Sequence, residues 1–322
     1  MRCIVSVVLA LMPWFVSAMP ASAADPYPQR NVTLVVPFPA GGSFDVIGRL
    51  VARALSEKWG HQVVVENKPG AAGDIGWGNA AKAAPDGYTL VLSSDGILSN
   101  EALTKKRAFD PLKSFVPITL VARSPQILVG GPALKAKTLA EVVEQGRDPK
   151  LDLRVGSAGA GTPGHLIAEA LAKVGRTKLR HVPYRGGAPA LTDLLGGQIE
   201  LVSTGLPAML SAIRAGTVVP IAVSSEKRFP SLPDVPAMSE VVPGVDVDTW
   251  YGILGPAGLP NELRDRIHAD IVAVMRNPAL TSRLTETGFE FVGSGPGEFS
   301  AIMQRDLPRW REIVEMSGIQ PQ

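Results

Sequence analysis

Three stretches of the chain set glycines between an apolar strand and an amphipathic helix: VTLVVPFPAGGSFDVIGRLVARAL (32–55), LRVGSAGAGTPGHLIAEALAKV (153–174) and LRHVPYRGGAPALTDLLGG (179–197). A glycine there lets the main chain approach a ligand, and the next helix offers unpaired N–H groups at the positive end of its dipole. The chemistry that suits this arrangement is capture of an anion. In the first stretch Gly41, Gly42 and neighbouring amides can hold a carboxylate at the helix start, with Phe38 and Phe44 as walls. A tight strand-to-helix turn with no ligand uses the same residues. Asp45 suits a helix cap, or an acceptor for a ligand donor.

In the second stretch Gly159, Gly161 and Gly164 have the G-x-G-x-x-G spacing of dinucleotide binding. The next strand, however, ends His181-Val182-Pro183-Tyr184-Arg185, with no acid to hold a ribose. Thr162 before Pro163 reads as an N-cap with proline in the first helical position, which puts His165 in the first turn, near any anion held there. In the third stretch Arg185 is either a surface charge or a cleft partner for a carboxylate, and Tyr184 either core or wall. Ser93, Ser94, Ser203 and Thr204 close strands, where open α/β sheets bind ligands, although such hydroxyls also cap helices.

Catalytic sets are poorly represented. Val155-Gly156-Ser157-Ala158-Gly159 has valine where a nucleophile elbow needs its first glycine, and no phosphate loop ends in Gly-Lys-Ser/Thr. His61, His165, His181 and His268 have no metal-ligand spacing, so neither a metal nor a cofactor is expected. Ser94 with His165 is the one pair an exported hydrolase could use.

The elements that position these turns alternate. Apolar, β-branched runs at 32–37, 62–66, 88–93, 117–122, 126–130, 153–157, 179–184, 200–204, 218–224, 247–254 and 289–292 predict strands, with helical patterns between them. The expected class is α/β with mostly parallel sheets. Segments 120–131 and 243–256 read as crossings between two lobes. The first lobe is then discontinuous, 24–124 plus 247–322, and 125–246 forms the second. Such lobes hold ligands between them. Residues 259–314 read as helical packing for the first lobe, broken at Asn277-Pro278 and Pro308.

Of the 322 residues, the first 23 read as a secretory signal: Arg2, an apolar run over 4–16, then Ala21-Ser22-Ala23. Its removal takes Cys3, the single cysteine, and lowers the formal charge from +2 to +1. The secreted product has no thiol, and no run of one charge sign invites nucleic acid or an anionic membrane. The expectation is a soluble protein outside the cytoplasm.

VVPFPAGGSFDVIGRL, VVVENKPGAAGDIGWGNAAKAAPDGYTL, GSAGAGTPGHL, VPYRGGAPALTDLLGGQIEL, LPDVPAMSE and TWYGILGPAGLP, in that order, closely resemble the Bug-type extracytoplasmic solute receptors of tripartite tricarboxylate transporters. The resemblance implies a type II periplasmic-binding-protein fold: two α/β lobes joined by two crossover strands, closing on a small carboxylate held by loop amides. It further implies a periplasmic, monomeric receptor serving membrane transporter subunits, or a sensor protein. Carried over by motif, the first clamp is Phe38, Ala40, Gly41, Gly42 and Asp45, with Ser93 and Ser94 at a strand end. The second is Ala158, Gly159, Thr162 and His165, with Tyr184, Arg185 and Gly186 closing one side and Trp250 near pocket or hinge. Where many relatives have a small residue this chain has Phe44, and where an aspartate is common it has Thr204. The first adds an aromatic wall. The second removes a charge that could pair with an amino group, so a plain or aromatic carboxylate is expected rather than an amino acid.

Overall fold

The computed structural model describes residues 27–319 apart from 105, 246 and 248; the expected signal segment and Cys3 lie outside them. In chain order the elements are β1 (Val32–Val36), α1 (Ser43–Trp59), β2 (Val63–Asn67), α2 (Asp74–Ala80), β3 (Thr89–Ser94), α3 (Gly96–Leu103), β4 (Phe115–Arg123), β5 (Gln126–Gly130), α4 (Leu139–Gln145), β6 (Leu153–Ser157) and α5 (Pro163–Val174). There follow β7 (Leu179–Pro183), α6 (Gly187–Leu195), β8 (Leu201–Gly205), α7 (Leu206–Arg214), β9 (Val219–Val223), β10 (Trp250–Pro256), α8 (Asn261–Met275), α9 (Pro278–Glu286), β11 (Glu290–Ser294) and α10 (Pro296–Ser317).

Two sheets form, one per lobe, ordered β11-β4-β10-β3-β1-β2 and β7-β6-β8-β5-β9. Each contains a parallel trio, β2-β1-β3 or β7-β6-β8, and next to it an antiparallel strand that arrives from the other lobe. β4 hands over to β5 through Ser124-Pro125, and the segment after β9 returns as β10. The crossings lie side by side: Ser124 N–H donates to Thr249 O at 2.9 Å and Val247 N–H to Ser224 O at 2.7 Å.

Burial explains the elements. Val32, Leu34, Val35 and Val36 of β1 are all buried, as a strand covered on both faces requires. α1 buries Ile47, Val51, Ala54 and Leu55 and ends at Gly60 in the left-handed conformation. On β5 the pleat sends Leu128 to one core of the second lobe and its neighbours Ile127 and Val129 to the other.

Two expectations for the C-terminal region are corrected. Helix α10 runs through Pro308. That residue is solvent-exposed, and Phe299, Ile302 and Met303 before it and Trp310, Ile313 and Val314 after it are buried, so apolar burial on one face outweighs the lost hydrogen bond on the other. Nor does α10 serve the first lobe alone: it packs on α3 and β4, and also on α5 of the second lobe.

Candidate functional site

Between the lobes lies a narrow cleft lined from both sides. The first lobe contributes Phe38, Pro39, Ala40, Gly42, Ser43 and Phe44 from the loop joining β1 to α1, together with Ser94, Thr249 and Tyr251. Ala158, Thr162 and Pro163 come from the β6–α5 loop of the second lobe and Gly186 to Pro189 from the start of α6. Thr204, Gly205 and Ala208 come from β8 and α7, and Gln126 from β5. No lining residue carries a charged side chain.

Four helices start at this cleft, α1, α5, α6 and α7, and none has its first amides capped by the side chain at its N-cap position. Thr162 does stand at the N-cap of α5, but its hydroxyl donates back to Gly159 O at 2.7 Å. The first amide of α7, Leu206 N–H, donates to Pro125 O at 2.9 Å and Pro207 after it has none, so the helix starts that bring open amides and dipole ends to this cavity without a cation are those of α1, α5 and α6. Ser43, Ser94, Thr162, Thr204, Thr249 and the Gln126 amide add hydrogen-bonding groups to the lining. Gln126 Nε2 donates to Thr249 Oγ1 at 3.1 Å, tying the two crossings together beneath the site.

The lobes touch around the cleft. Ser43 Oγ donates to Gly205 O at 3.4 Å and Ser99 Oγ to Gly161 O at 3.0 Å. A methyl group on Gly186 would lie 3.3 Å from Pro39, and one on Gly205 would lie 2.6 Å from Ser43 Oγ and 2.9 Å from the Tyr251 hydroxyl. Phe38 and Phe44 (centroids 4.5 Å apart) and Phe44 and Tyr251 (5.3 Å) make a continuous aromatic wall on the first lobe. Burial, and then the charge of Asp95, raise the pKa of Tyr251, which keeps its hydroxyl protonated.

Of the residues singled out from sequence, Phe38, Ala40, Gly42, Phe44, Ser94, Ala158, Thr162, Gly186 and Thr204 meet at this cleft; the others do not. Asp45 turns inward. Its carboxylate accepts from Gly41 N–H (3.1 Å), Arg49 Nε (2.9 Å) and Asn67 Nδ2 (3.1 Å), so it holds Gly41 and the loop in place. Burial opposes its ionisation, but these hydrogen bonds outweigh burial and keep its pKa below the ordinary carboxyl value. His165 Nδ1 accepts from Gly161 N–H at 3.0 Å and its ring stacks on His181 at 3.7 Å. His181 Nε2 lies 2.7 Å from Ser157 Oγ. Burial, and for His165 the neighbouring ring, lower these pKa values to about 3 and about 4, so both imidazoles are neutral. His165 and Ser94 are not a pair, and the serine that does meet a histidine, Ser157, is fully buried.

Strand pleat decides the remaining cases. Ser93 is buried on the face of β3 opposite Ser94, and Trp250 faces α10, donating to Asp306 at 3.1 Å and packing on Phe299. Its neighbour Tyr251, which pairs with Ser94 across the strands, faces the cleft instead. Gly159, Tyr184 and Arg185 line an adjoining cavity, and the Tyr184 hydroxyl is engaged by Asp193 at 2.8 Å. Sequence reasoning missed Ser43, Gln126, Gly205, Thr249 and Tyr251. The signal for the last was the two-residue alternation starting from Trp250.

Two α/β lobes that exchange strands and converge helix starts on a shared cleft define a two-lobed solute receptor of the type II periplasmic-binding-protein fold. The profile of the tripartite tricarboxylate transporter family receptor matches residues 47–319. Protein BugT of Bordetella pertussis is 32% identical over 304 residues, 94% of this chain and 93% of that protein. Among solved structures, R. palustris Rpa4515 with adipate superposes with a TM-score of 0.88 at 32% identity, covering 92% of this chain and all of the other. MatC from Rhodopseudomonas palustris with bound malate gives 0.84 at 29% identity, over 89% of this chain and all of the other. The chain belongs to the family of tripartite tricarboxylate transporter receptors, which bind solutes and are not enzymes.

Proposed function

We propose that this receptor closes in the periplasm on a small organic carboxylate that carries no ammonium group, and delivers it as a monomer to the membrane subunits of a tripartite transporter. Residues 1–23 export it; 24–124 with 247–322 form one moving lobe and 125–246 the other. The observation that carries the reading is the convergence of three uncapped helix starts, α1 from one lobe and α5 and α6 from the other, on a cleft without a charged side chain. Such a cleft favours an anion and offers a ligand cation nothing to pair with. Adipate in one relative and malate in another are in keeping with it.

The magnitudes are sufficient. Micromolar affinity needs roughly 8 kcal/mol. A hydrogen bond to a charged group contributes about 1.5–3 kcal/mol and a helix N-terminus about 0.3–1 kcal/mol, up to ~2 if partly buried. Three or four such bonds with apolar contact to Phe38, Phe44 and Tyr251 reach that figure after ordering costs. Because the ligand bridges both lobes only when they are together, it stabilises the closed form.

Calorimetry with matched acid and amide pairs tests the reading. At least one acid binds with micromolar Kd and its amide about 100-fold more weakly; equal affinities overturn it. Deaminated analogues also bind more tightly than aspartate or glutamate, and the reverse order contradicts the missing ammonium group.

A further inference from the structure

Two crossings join the lobes, and closure must bend both. Most of the bonds that hold the crossings together are out of a ligand's reach. Ser124 N–H donates to Thr249 O at 2.9 Å, and the buried Ser224 hydroxyl accepts from Gln126 N–H at 3.0 Å and donates to Val247 O at 2.7 Å. Neither Ser124 nor Ser224 lines the main cleft. Gln126, on the first crossing, and Thr249, on the second, both do. Among the described residues, the 3.1 Å bond from Gln126 Nε2 to Thr249 Oγ1 is the one side-chain tie between the crossings that lies in the cleft wall.

Both residues are almost fully buried, Gln126 5% exposed and Thr249 1%. Polar groups so placed seldom have bonding capacity to spare. Gln126 is an exception. One N–H of its amide is committed to Thr249, while the second N–H and the oxygen bond no other described residue. The oxygen reaches the start of α5, where a methyl group on Gly164 would lie 3.3 Å from it. Gly164 supplies the first amide of that helix, since Pro163 before it has none. One carboxamide therefore stands beside an open helix start, is rooted in one crossing and is bonded to the other.

We propose that Gln126 couples occupancy of the cleft to the hinge. Its bond to Thr249 favours the closed arrangement of the crossings. A carboxylate seated at the start of α5 takes the second Nε2 proton and fixes the rotamer in which the first proton holds Thr249. Gln126 is thus a positioning residue for closure, acting through Thr249. The ligand's part in this rests on the carboxylate reading above; the tie between the crossings does not.

Interlobe distances and a double-mutant cycle test it. Cys3 is the only cysteine of the chain, so in Cys3→Ser spin labels at Asn79→Cys and Thr192→Cys, exposed on α2 and α6, report the gap between the lobes. Thr249→Val removes the acceptor and Thr249→Ser keeps it. Without ligand, Thr249→Val raises the open-to-closed ratio about fivefold and Thr249→Ser restores it. Calorimetry with the tightest-binding acid of the series above then gives a Kd about fivefold weaker for Thr249→Val in the native background and unchanged by it in Gln126→Ala. Thr249→Val costing the same in both backgrounds overturns the coupling, because the two side chains then act independently. Equal unliganded ratios in the Val and Ser variants overturn the tie. Failure of every acid to bind overturns the carboxylate reading and the ligand's part with it, and the unliganded ratio still decides the tie.

Discussion

In the first lobe the amide of Gly41 donates to the Asp45 carboxylate four residues on, at 3.1 Å; in the second the amide of Gly161 donates to His165 Nδ1, also four residues on, at 3.0 Å. The two glycines have nearly the same left-handed φ, +83° and +82°. One loop geometry has thus been built twice with different acceptors. Asp45 is charged, and its bonds from Gly41 and Arg49 are charge-assisted and strong. Its charge favours the start of α1 but disfavours an anion nearby, and Arg49 offsets it. His165 is neutral and can accept only while it stays so. The two lobes therefore fix similar loops beside the cleft while differing in firmness and in response to acid.

Keeping the loops apart removes both contributions together, so the largest effect is expected from Gly205→Ala. Its methyl group meets Ser43 and Tyr251 of the other lobe, within 3 Å of both hydroxyls. Overpacking of this kind costs about 1–3 kcal/mol, which calorimetry should read as up to about 100-fold weaker binding, with an unchanged circular-dichroism spectrum.

Replacing the acceptors one at a time separates the loops. Asp45→Ala leaves the Gly41 amide, the half-buried Asn67 amide and Arg49 without their shared acceptor and lowers stability by about 2–3 kcal/mol; His165→Ala leaves only the Gly161 amide, by a neutral bond of about 1 kcal/mol. Urea unfolding checks the order, and equal losses would mean the two loops are held with equal firmness.

Acid sharpens the contrast. In the native protein the pKa of His165 is depressed from 6.5 to about 3 and that of His181 to about 4. The unfolded chain thus binds more protons below about pH 6.5, and stability falls as pH drops through that window. For His165 the loss from pH 7 to pH 5 is on the order of 2 kcal/mol. Asp45, with a pKa held below 3.8, contributes its stability above that value and loses it only at lower pH. The melting temperature of the native chain should fall between pH 7 and pH 5, and less steeply in His165→Gln, which retains a neutral acceptor. Parallel curves for the two proteins would contradict this.

The smallest effect concerns the wall that only the first lobe has. Phe44→Leu keeps most of the packing against Phe38 and Tyr251 and costs under about 1.5 kcal/mol. It enlarges the cleft, so bulkier acids gain a few-fold over small ones in competition assays.

Much of this was legible in the sequence, for physical reasons. Strands covered on both faces leave dense β-branched runs, and all eleven runs correspond to strands within a few residues. The glycine turns could be read because a positive φ at Gly41, Gly161 and Gly186 demands that residue. What could not be read was orientation. Ser93 against Ser94, and Trp250 against Tyr251, differ only in which side of the pleat faces the cleft, and that depends on how the sheet is covered. The stacking of His165 on His181 likewise depends on β6 and β7 lying side by side, which no spacing records. Asp45 read as a cap or a ligand acceptor, and its bond from Asn67 was hidden because that partner comes from a different strand.

The most direct test is a crystal structure of the receptor with a bound monocarboxylate, refined well enough to place both oxygens. The carboxylate oxygens are expected about 3 Å from main-chain nitrogens at the start of α1 and at the start of α5 or α6, with no Arg or Lys nitrogen in contact. A carboxylate paired to a cationic side chain, or touching the amides of one lobe alone, contradicts it.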